Sequence, residues 1–184
     1  NNGEGFIAQR TYSAPDQETL DMYRDQLYNG KWYVDCSTGG AQYGQGMYCA
    51  ADYEGKLTDG IKAEMEHYKN LGESRTSGGV SYTETLTLDP SAKVISSKGL
   101  DVLRESTLMG IEDKRLEATS AATTRVEARE IEAFWSAKYE YIYRMDDGAF
   151  AAMLGYDAIN AEGHGESGSY TVSLNRTKVI IKGE

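Results

Sequence analysis

Cysteine and histidine are scarce in this chain of 184 residues, which contains two of each. Cys36 and Cys49 belong to no C-x-x-C or Cys/His grouping, and His67 has no metal-type ligands near it, so no metal site is expected. Both cysteines lie in apolar, strand-like surroundings, where a free thiol behaves as a small buried hydrophobe. We therefore predict buried thiols, with a disulfide between neighbouring strands as the alternative.

Basic residues and long apolar runs are also in short supply. Lys and Arg number 19 against 29 Asp and Glu, and the net charge of −10 argues against binding to a nucleic acid backbone. No apolar run approaches the roughly 18 to 20 residues that cross a bilayer, so no membrane partner is expected. The length predicts a single domain over residues 1–184, and the abrupt start at residues 1–3 indicates a piece of a longer polypeptide.

Glycine and tyrosine, by contrast, are plentiful, and they concentrate in residues 39–50, GGAQYGQGMYCA. This stretch follows a strand-like run at residues 32–36. Glycine lets the backbone approach a ligand closely, and tyrosine combines a flat face with a polar tip. The stretch predicts a loop shaped to hold a flat, polar ligand, with an irregular hairpin plugged by aromatic rings as the alternative.

Hydrophobic periodicity predicts an α+β protein. Val80–Leu88 alternates with period two and is the clearest strand, whereas residues 99–143 have a charged, helical pattern. A glycine-rich acidic loop is predicted at residues 161–168. Further strands are predicted at 6–12, 47–50, 92–95, 156–159, 169–174 and 178–181, and further helices at 13–29, 56–70 and 146–154.

Two charged residues fall inside predicted strands. Arg10 must find a partner or a ligand if it is buried, because an unpaired buried guanidinium is costly; the alternative is an edge strand from which it reaches solvent. Glu84 falls on the apolar face of Val80–Leu88 and is a candidate buried carboxylate, although a solvated edge position is the favoured interpretation.

The order of several short motifs resembles that of ADP-ribosyltransferase domains of bacterial exotoxins and, most closely, of phage minor head proteins. The resemblance covers nearly the whole chain except the helical region 99–143, which would be an insert. The motifs are Arg10-Thr11, Gly30-x-Trp32-Tyr33-Val34, Tyr43-Gly44-x-Gly46-x-Tyr48-x-Ala50, Leu88-Asp89-Pro90-x-Ala92-Lys93-Val94-Ile95, Gly155-Tyr156-Asp157-Ala158-Ile159 and Leu174-Asn175-Arg176-Thr177.

The resemblance implies a split, twisted antiparallel β core with flanking helices and with NAD in the cleft between two small sheets. Arg10-Thr11 would contact the phosphates and ribose, and Ser37-Thr38 would shape the nicotinamide pocket. A tyrosine of the glycine-rich loop would stack on nicotinamide, with Tyr48 preferred and Tyr43 as the other candidate. The NAD-binding residues implied are Arg10, Thr11, Ser37, Thr38, Tyr43, Gly44, Gly46 and Tyr48.

The implied activity is mono-ADP-ribosyl transfer, in which NAD is cleaved and ADP-ribose passes to the side chain of an acceptor protein. A carboxylate would stabilise the positive charge that develops on the ribose. Arg10 would be a catalytic residue beside that carboxylate. Glu166 is the first choice, in the His164-x-Glu166 arrangement; Glu162 is second and Glu84 third. The alternatives are NAD hydrolysis and a catalytically silent structural or binding domain of a phage virion. The resemblance places the protein in a virion or among secreted or injected bacterial effectors and toxins.

Overall fold

The structure, a computed structural model, describes residues 6–28, 46–51, 56–162 and 169–181. The described residues are α+β, as predicted, with a seven-stranded sheet and five α-helices. The strands are β1 (Phe6–Ala14), β2 (Met47–Ala50), β3 (Val80–Leu88), β4 (Val94–Ser96), β5 (Ala158–Glu162), β6 (Ser169–Ser173) and β7 (Val179–Ile181).

The helices begin where the sequence offers capping side chains. The side-chain oxygens of Thr58, Ser96, Thr124 and Asp146 each accept a hydrogen bond from a backbone N–H in the first turn of the helix that follows. Such caps satisfy donors that have no partner within the helix. The helices are α1 (Gln17–Tyr28), α2 (Asp59–Arg75), α3 (Ser97–Ala121), α4 (Arg125–Arg144) and α5 (Asp147–Met153).

Several boundaries differ from the sequence-based prediction. The helix predicted at 13–29 begins only at Gln17, because β1 continues to Ala14 by pairing with β3. The helix predicted at 56–70 is too short at its end, because α2 continues to Arg75 and is followed by Thr76, whose hydroxyl donates to the Gly72 carbonyl at 2.9 Å. The loop predicted at residues 161–168 is too long, since β5 continues to Glu162 by pairing with β6. The prediction of helix over residues 99–143 is confirmed by α3 and α4.

The strands lie in the order β4-β5-β6-β2-β1-β3-β7. The expectation of a purely antiparallel core is wrong, because β4 and β5 run parallel. A parallel pair needs a long crossover, which here is supplied by α3, α4 and α5. The sheet is continuous, but β1 and β2 share only the pair Gln9 and Ala50. Within the described residues, a single residue pair therefore joins the two halves of the sheet, β4-β5-β6-β2 and β1-β3-β7.

The two faces of the sheet differ in what covers them. Residues paired directly across antiparallel strands share a face, and faces alternate along each strand. One face, which we call the helical face, carries Ile159, Val172 and Ala50 and packs against α2, α3 and α5. The other face, which we call the Arg10 face, carries a second apolar cluster of buried residues: Ala8, Met47, Cys49, Ala51, Leu86, Leu88, Ala158 and Val179.

Three of the motifs behind the resemblance meet in one corner of the fold. The Asp157 carboxylate accepts hydrogen bonds from the backbone N–H of Lys93 at 2.8 Å and from the side-chain amide of Asn175 at 2.7 Å. These bonds hold the pKa of Asp157 below its ordinary value, the bond from Lys93 contributing most. Nearby, the Asp89 N–H donates to the Lys178 carbonyl at 2.8 Å. These motifs therefore have a structural role, tying the start of β5 to the segments before β4 and β7.

Cys49 is a buried thiol on β2, which confirms the prediction for that residue, whereas Cys36 lies outside the described residues. None of the described helices combines the length and the apolar character needed to cross a membrane.

Candidate functional site

The candidate site lies where the pairing of β1 with β2 stops at Gln9 and Ala50, an interruption of the sheet that we call the gap. β1 lies between β2 and β3 in the sheet, and it pairs with β3 along its whole length. β2 pairs with β6 along its whole length. Each strand therefore keeps a full set of hydrogen bonds on one side and has only one residue pair on the side facing the gap.

Arg10 lies at this gap. Its Nη1 donates to the backbone carbonyl of Tyr48 at 2.9 Å, so a side chain bridges two strands whose backbones do not pair there. The guanidinium also lies 5.2 Å from the centre of the Tyr12 ring, a cation–π contact on the same face. The interpretation of Arg10 as an edge-strand residue is wrong, because β1 has a neighbour on either side.

A row of polar side chains crosses the Arg10 face next to Arg10, on both sides of the gap. Register places Glu84 opposite Arg10 on β3 and places Asn160 opposite Thr171 on the far side of the gap. Glu84 and Thr171 are each 1% exposed and Asn160 is 7% exposed. Burial of a polar side chain costs free energy unless it is hydrogen-bonded, so this row is unlike the apolar cluster beside it.

Several polar atoms of this surface have no hydrogen-bond partner within the described part of the chain: Nε of Arg10, Oγ1 of Thr171 and Oγ of Ser173. Native proteins pair the great majority of their buried polar atoms, and each orphaned one costs about 1 to 3 kcal/mol. The Arg10 face is thus chemically suited to receive hydrogen-bonding groups, either of a ligand or of chain outside the described ranges.

Glu84 was interpreted as a solvated edge residue, and that interpretation is wrong. β3 lies between β1 and β7, and the carboxylate is among the most buried side chains of the molecule. It shares its row with Arg10, and directly paired residues of an antiparallel sheet have Cα atoms about 4.5 to 5.5 Å apart. The buried-carboxylate alternative for Glu84 is therefore confirmed.

Thr11 and Tyr48 point to the other side of the sheet. The Thr11 hydroxyl bonds the Thr83 hydroxyl at 2.9 Å and the Met65 carbonyl of α2 at 3.3 Å, on the helical face. The Tyr48 side chain packs against the apolar cluster of that same face, which contains Phe150. The backbone carbonyl of Tyr48 accepts the hydrogen bond from Arg10, while the Tyr48 ring lies on the opposite face of the sheet.

Gly46 has a packing reason to be glycine. A Cβ placed there would lie 2.6 Å from Cγ1 of Val172 and 3.0 Å from the Ser173 carbonyl oxygen. A side chain would therefore collide with β6 at the point where β2 begins. The sequence predicted that this glycine serves close approach to a ligand, and the approach that the structure contains is to a neighbouring strand.

The remaining predicted site residues lie largely outside the described ranges. Glu162 is the last residue of β5, where its backbone pairs with that of Ser169, rather than part of a loop. Ser37, Thr38, Tyr43, Gly44 and Glu166 lie outside the described residues.

Sequence reasoning missed a second polar cluster, on the helical face. The Tyr170 hydroxyl donates to the carboxylate of Glu64, which is 4% exposed, and bonds the Tyr68 hydroxyl at 2.8 Å. Burial, followed by the bonds to Glu64 and Tyr68, raises the pKa of Tyr170 above its ordinary value. No local signal predicts this cluster, because Tyr170 and Glu64 are 106 positions apart.

Within residues 6–28, 46–51, 56–162 and 169–181, no group of three or more Cys, His, Asp or Glu side chains could hold a metal ion. Comparison of the chain with family models, curated proteins and solved structures gives no match.

Proposed function

We propose that this protein is a mono-ADP-ribosyltransferase that cleaves NAD and transfers ADP-ribose to a protein side chain. The position of Arg10 carries the proposal: its guanidinium lies in the gap between β1 and β2, anchored at one nitrogen by the Tyr48 carbonyl. Arginine presents its donors as a planar fork that matches phosphate oxygens, and anchoring one nitrogen orients the others. The pyrophosphate of NAD is a ligand of that chemistry.

The division of the sheet supports an ADP-ribosyltransferase-like fold. Two half-sheets joined by a single residue pair can diverge around a ligand, as the resemblance requires of a split core. On this proposal NAD lies across the Arg10 face, where it would satisfy the polar atoms of Arg10 and Thr171 that lack partners among the described residues.

The reaction breaks the bond between the nicotinamide nitrogen and C1′ of the ribose. The bonding electron pair leaves with nicotinamide, which becomes neutral, and positive charge develops on the ribose. A carboxylate held close to that charge stabilises it, and the effect is larger in a site that excludes water. The acceptor side chain then bonds to C1′ and loses its proton.

The proposal assigns the carboxylate to Glu166, with Glu162 second and Glu84 third, as the resemblance implies. Glu84 is next to Arg10 in the sheet, which also suits it to positioning the guanidinium. Stacking on nicotinamide falls to Tyr43 rather than Tyr48, because the Tyr48 ring packs on the opposite face. Ser37 and Thr38 keep their assignment to the nicotinamide pocket.

The test uses NAD labelled in its adenylate half, incubated with the protein and with cell lysate. Nicotinamide release together with labelled protein supports the transferase, and release without label supports the NAD glycohydrolase alternative. A folded protein that gives neither supports a silent structural or binding domain. Arg10→Ala is the decisive variant, and Arg129→Ala, an exposed change on α4, is its matched control. Nicotinamide release that survives in Arg10→Ala removes the assignment of this arginine.

A second series separates the three carboxylates. Glu166→Gln should stop nicotinamide release while leaving NAD affinity nearly unchanged, because the charge acts mainly in the transition state. Glu130→Gln, an exposed change on α4, is the control. Full turnover of Glu166→Gln transfers the role to whichever of Glu162→Gln or Glu84→Gln is inactive yet still binds NAD.

A further inference from the structure

The helical hairpin of α3 and α4 presents a line of apolar side chains that no described element covers. Val102, Met109 and Leu116 are 64%, 62% and 52% exposed, respectively. A spacing of seven places them on one face of α3, in a line about 21 Å long at 1.5 Å per residue. Tyr139 and Tyr143 of α4 stack on each other at 6.1 Å and line a groove with Met109. We call this line of three residues the α3 seam.

Carboxylates flank the α3 seam. Asp101, Glu105 and Asp113 line the same groove. Glu105 and Asp113 also stand three or four residues from seam residues, which makes them direct neighbours of the seam on the helix surface. Among the described residues, none of these three carboxylates takes part in a salt bridge. The seam is therefore an apolar line bordered by negative charge that is available to a partner.

Two arginines close to the seam, Arg104 and Arg115, are already occupied. Arg104 pairs with Asp147 at 2.5 Å, and its other terminal nitrogen donates to two backbone carbonyls. Arg115 pairs with Glu112 and with Glu132, each at 2.5 Å. Both guanidinium groups are thus paired within the chain, Arg104 with α5 and Arg115 within the hairpin, and they do not offset the charge of the three flanking carboxylates.

We infer that the α3 seam docks a basic amphipathic helix of another protein. A row of exposed apolar side chains on a helix is a surface that a partner helix can cover, and the neighbouring carboxylates select a partner whose polar face is rich in Lys and Arg. A second copy of this chain is a poor occupant, because two seams packed together would bring the same carboxylates towards each other.

This inference is independent of the NAD chemistry, so its test uses binding alone. The probe is a fluorescent synthetic helix of about 18 residues, built from Leu and Lys in an amphipathic pattern, measured by anisotropy at two salt concentrations. A Leu/Glu peptide of the same pattern is the charge control. We expect the Leu/Lys helix to bind at least about 10-fold more tightly than the Leu/Glu helix, with an affinity that falls as salt rises.

The variants locate the binding surface. Val102→Ser, Met109→Ser and Leu116→Ser combined should weaken binding at least about 10-fold, and exposed positions of this kind leave folding nearly unchanged. Val126→Ser, a change of an equally exposed valine on α4, should leave binding intact.

Three outcomes would overturn the inference: equal binding of the two peptides, the same loss of binding in Val126→Ser, or self-association that the triple serine variant abolishes in sedimentation velocity. The last outcome would identify a second copy as the occupant. Asp101→Asn, Glu105→Gln and Asp113→Asn combined should remove most of the salt dependence while the protein remains folded, and a salt dependence that persists would contradict the electrostatic part.

Discussion

Two arginines in different regions of this molecule differ in how many of their donors form hydrogen bonds or ion pairs. At the base of the helical hairpin, Arg104 donates to two backbone carbonyls at 2.7 Å and pairs with Asp147 at 2.5 Å, and its guanidinium lies 4.5 Å from the Phe150 ring centre. In the sheet, Arg10 donates to one carbonyl, that of Tyr48, and its Nε has no partner among the described residues.

The difference separates an arginine used for structure from one that, on the proposed function, binds a ligand. The donors of Arg104 join the end of α4 to α5. There, several bonds at once stabilise the guanidinium in a partly buried site. Arg10 has a similar chemical capacity but lies where the pairing of β1 with β2 stops, and its buried Nε has no partner among the described residues. We therefore place the proposed function at Arg10, because one of its donors has no partner among the described residues.

The largest effect on activity should come from Arg10→Ala. We expect nicotinamide release to fall at least about 100-fold, which corresponds to roughly 2.7 kcal/mol of transition-state stabilisation. Arg10→Lys should recover little, because an ammonium cannot reproduce the planar fork. The free energy of unfolding should change by no more than about 1 kcal/mol, measured by denaturant titration. If Arg10→Ala is as active as the wild type, or if it fails to fold, Arg10 does not differ from Arg104 in the way proposed.

Arg104→Met should show the reverse pattern. Removing the guanidinium leaves two backbone carbonyls and the Asp147 carboxylate without their donor, so we expect the free energy of unfolding to fall by about 3 kcal/mol. Nicotinamide release per folded molecule should stay near the wild-type value. A loss of stability below about 1 kcal/mol in urea titrations would mean that Arg104 is not the structural member of the pair.

Gly46→Ala tests whether the edge of the gap is tightly packed. The new Cβ would lie 2.6 Å from Val172 Cγ1, and we expect a loss of about 1 to 3 kcal/mol as β2 moves away from β6. Gly110→Ala is the control, since a Cβ in that position of α3 meets nothing within 4 Å and should stabilise the helix by up to about 1 kcal/mol. Equal effects of the two changes on Tm would refute the packing argument.

Asp157→Asn should have the smallest effect and should depend on pH. The folded-state pKa of Asp157 is lowered, so its stabilisation is present above the unfolded pKa of about 4 and is lost as pH falls through the folded pKa. The variant should lose about 1 kcal/mol at pH 7 and lose less stability than the wild type as the solution is acidified below about pH 4. Parallel acid titrations of the two proteins would contradict this role.

The candidate site was only partly accessible to prediction. Arg10 and Glu84 were both selected as charged residues within strands, but their burial was not, because interior and edge strands have the same alternation in sequence. Which residues they face depends on partners far along the chain, such as Tyr48, 38 positions from Arg10. The motif at Asp157 was likewise visible, whereas its bond to Asn175 and its structural role required the fold.

By itself the sequence determined the local structure: the period-two strand Val80–Leu88, the capping side chains that begin α2, α3, α4 and α5, and the buried thiol of Cys49. These depend on neighbours within a few positions, whose spacing and chemistry can be read directly. Only the tertiary structure decided that β1 lies between β2 and β3 and that it meets β2 at one pair. Strand partners are chosen by non-local packing, and that choice places the guanidinium of Arg10 at a gap.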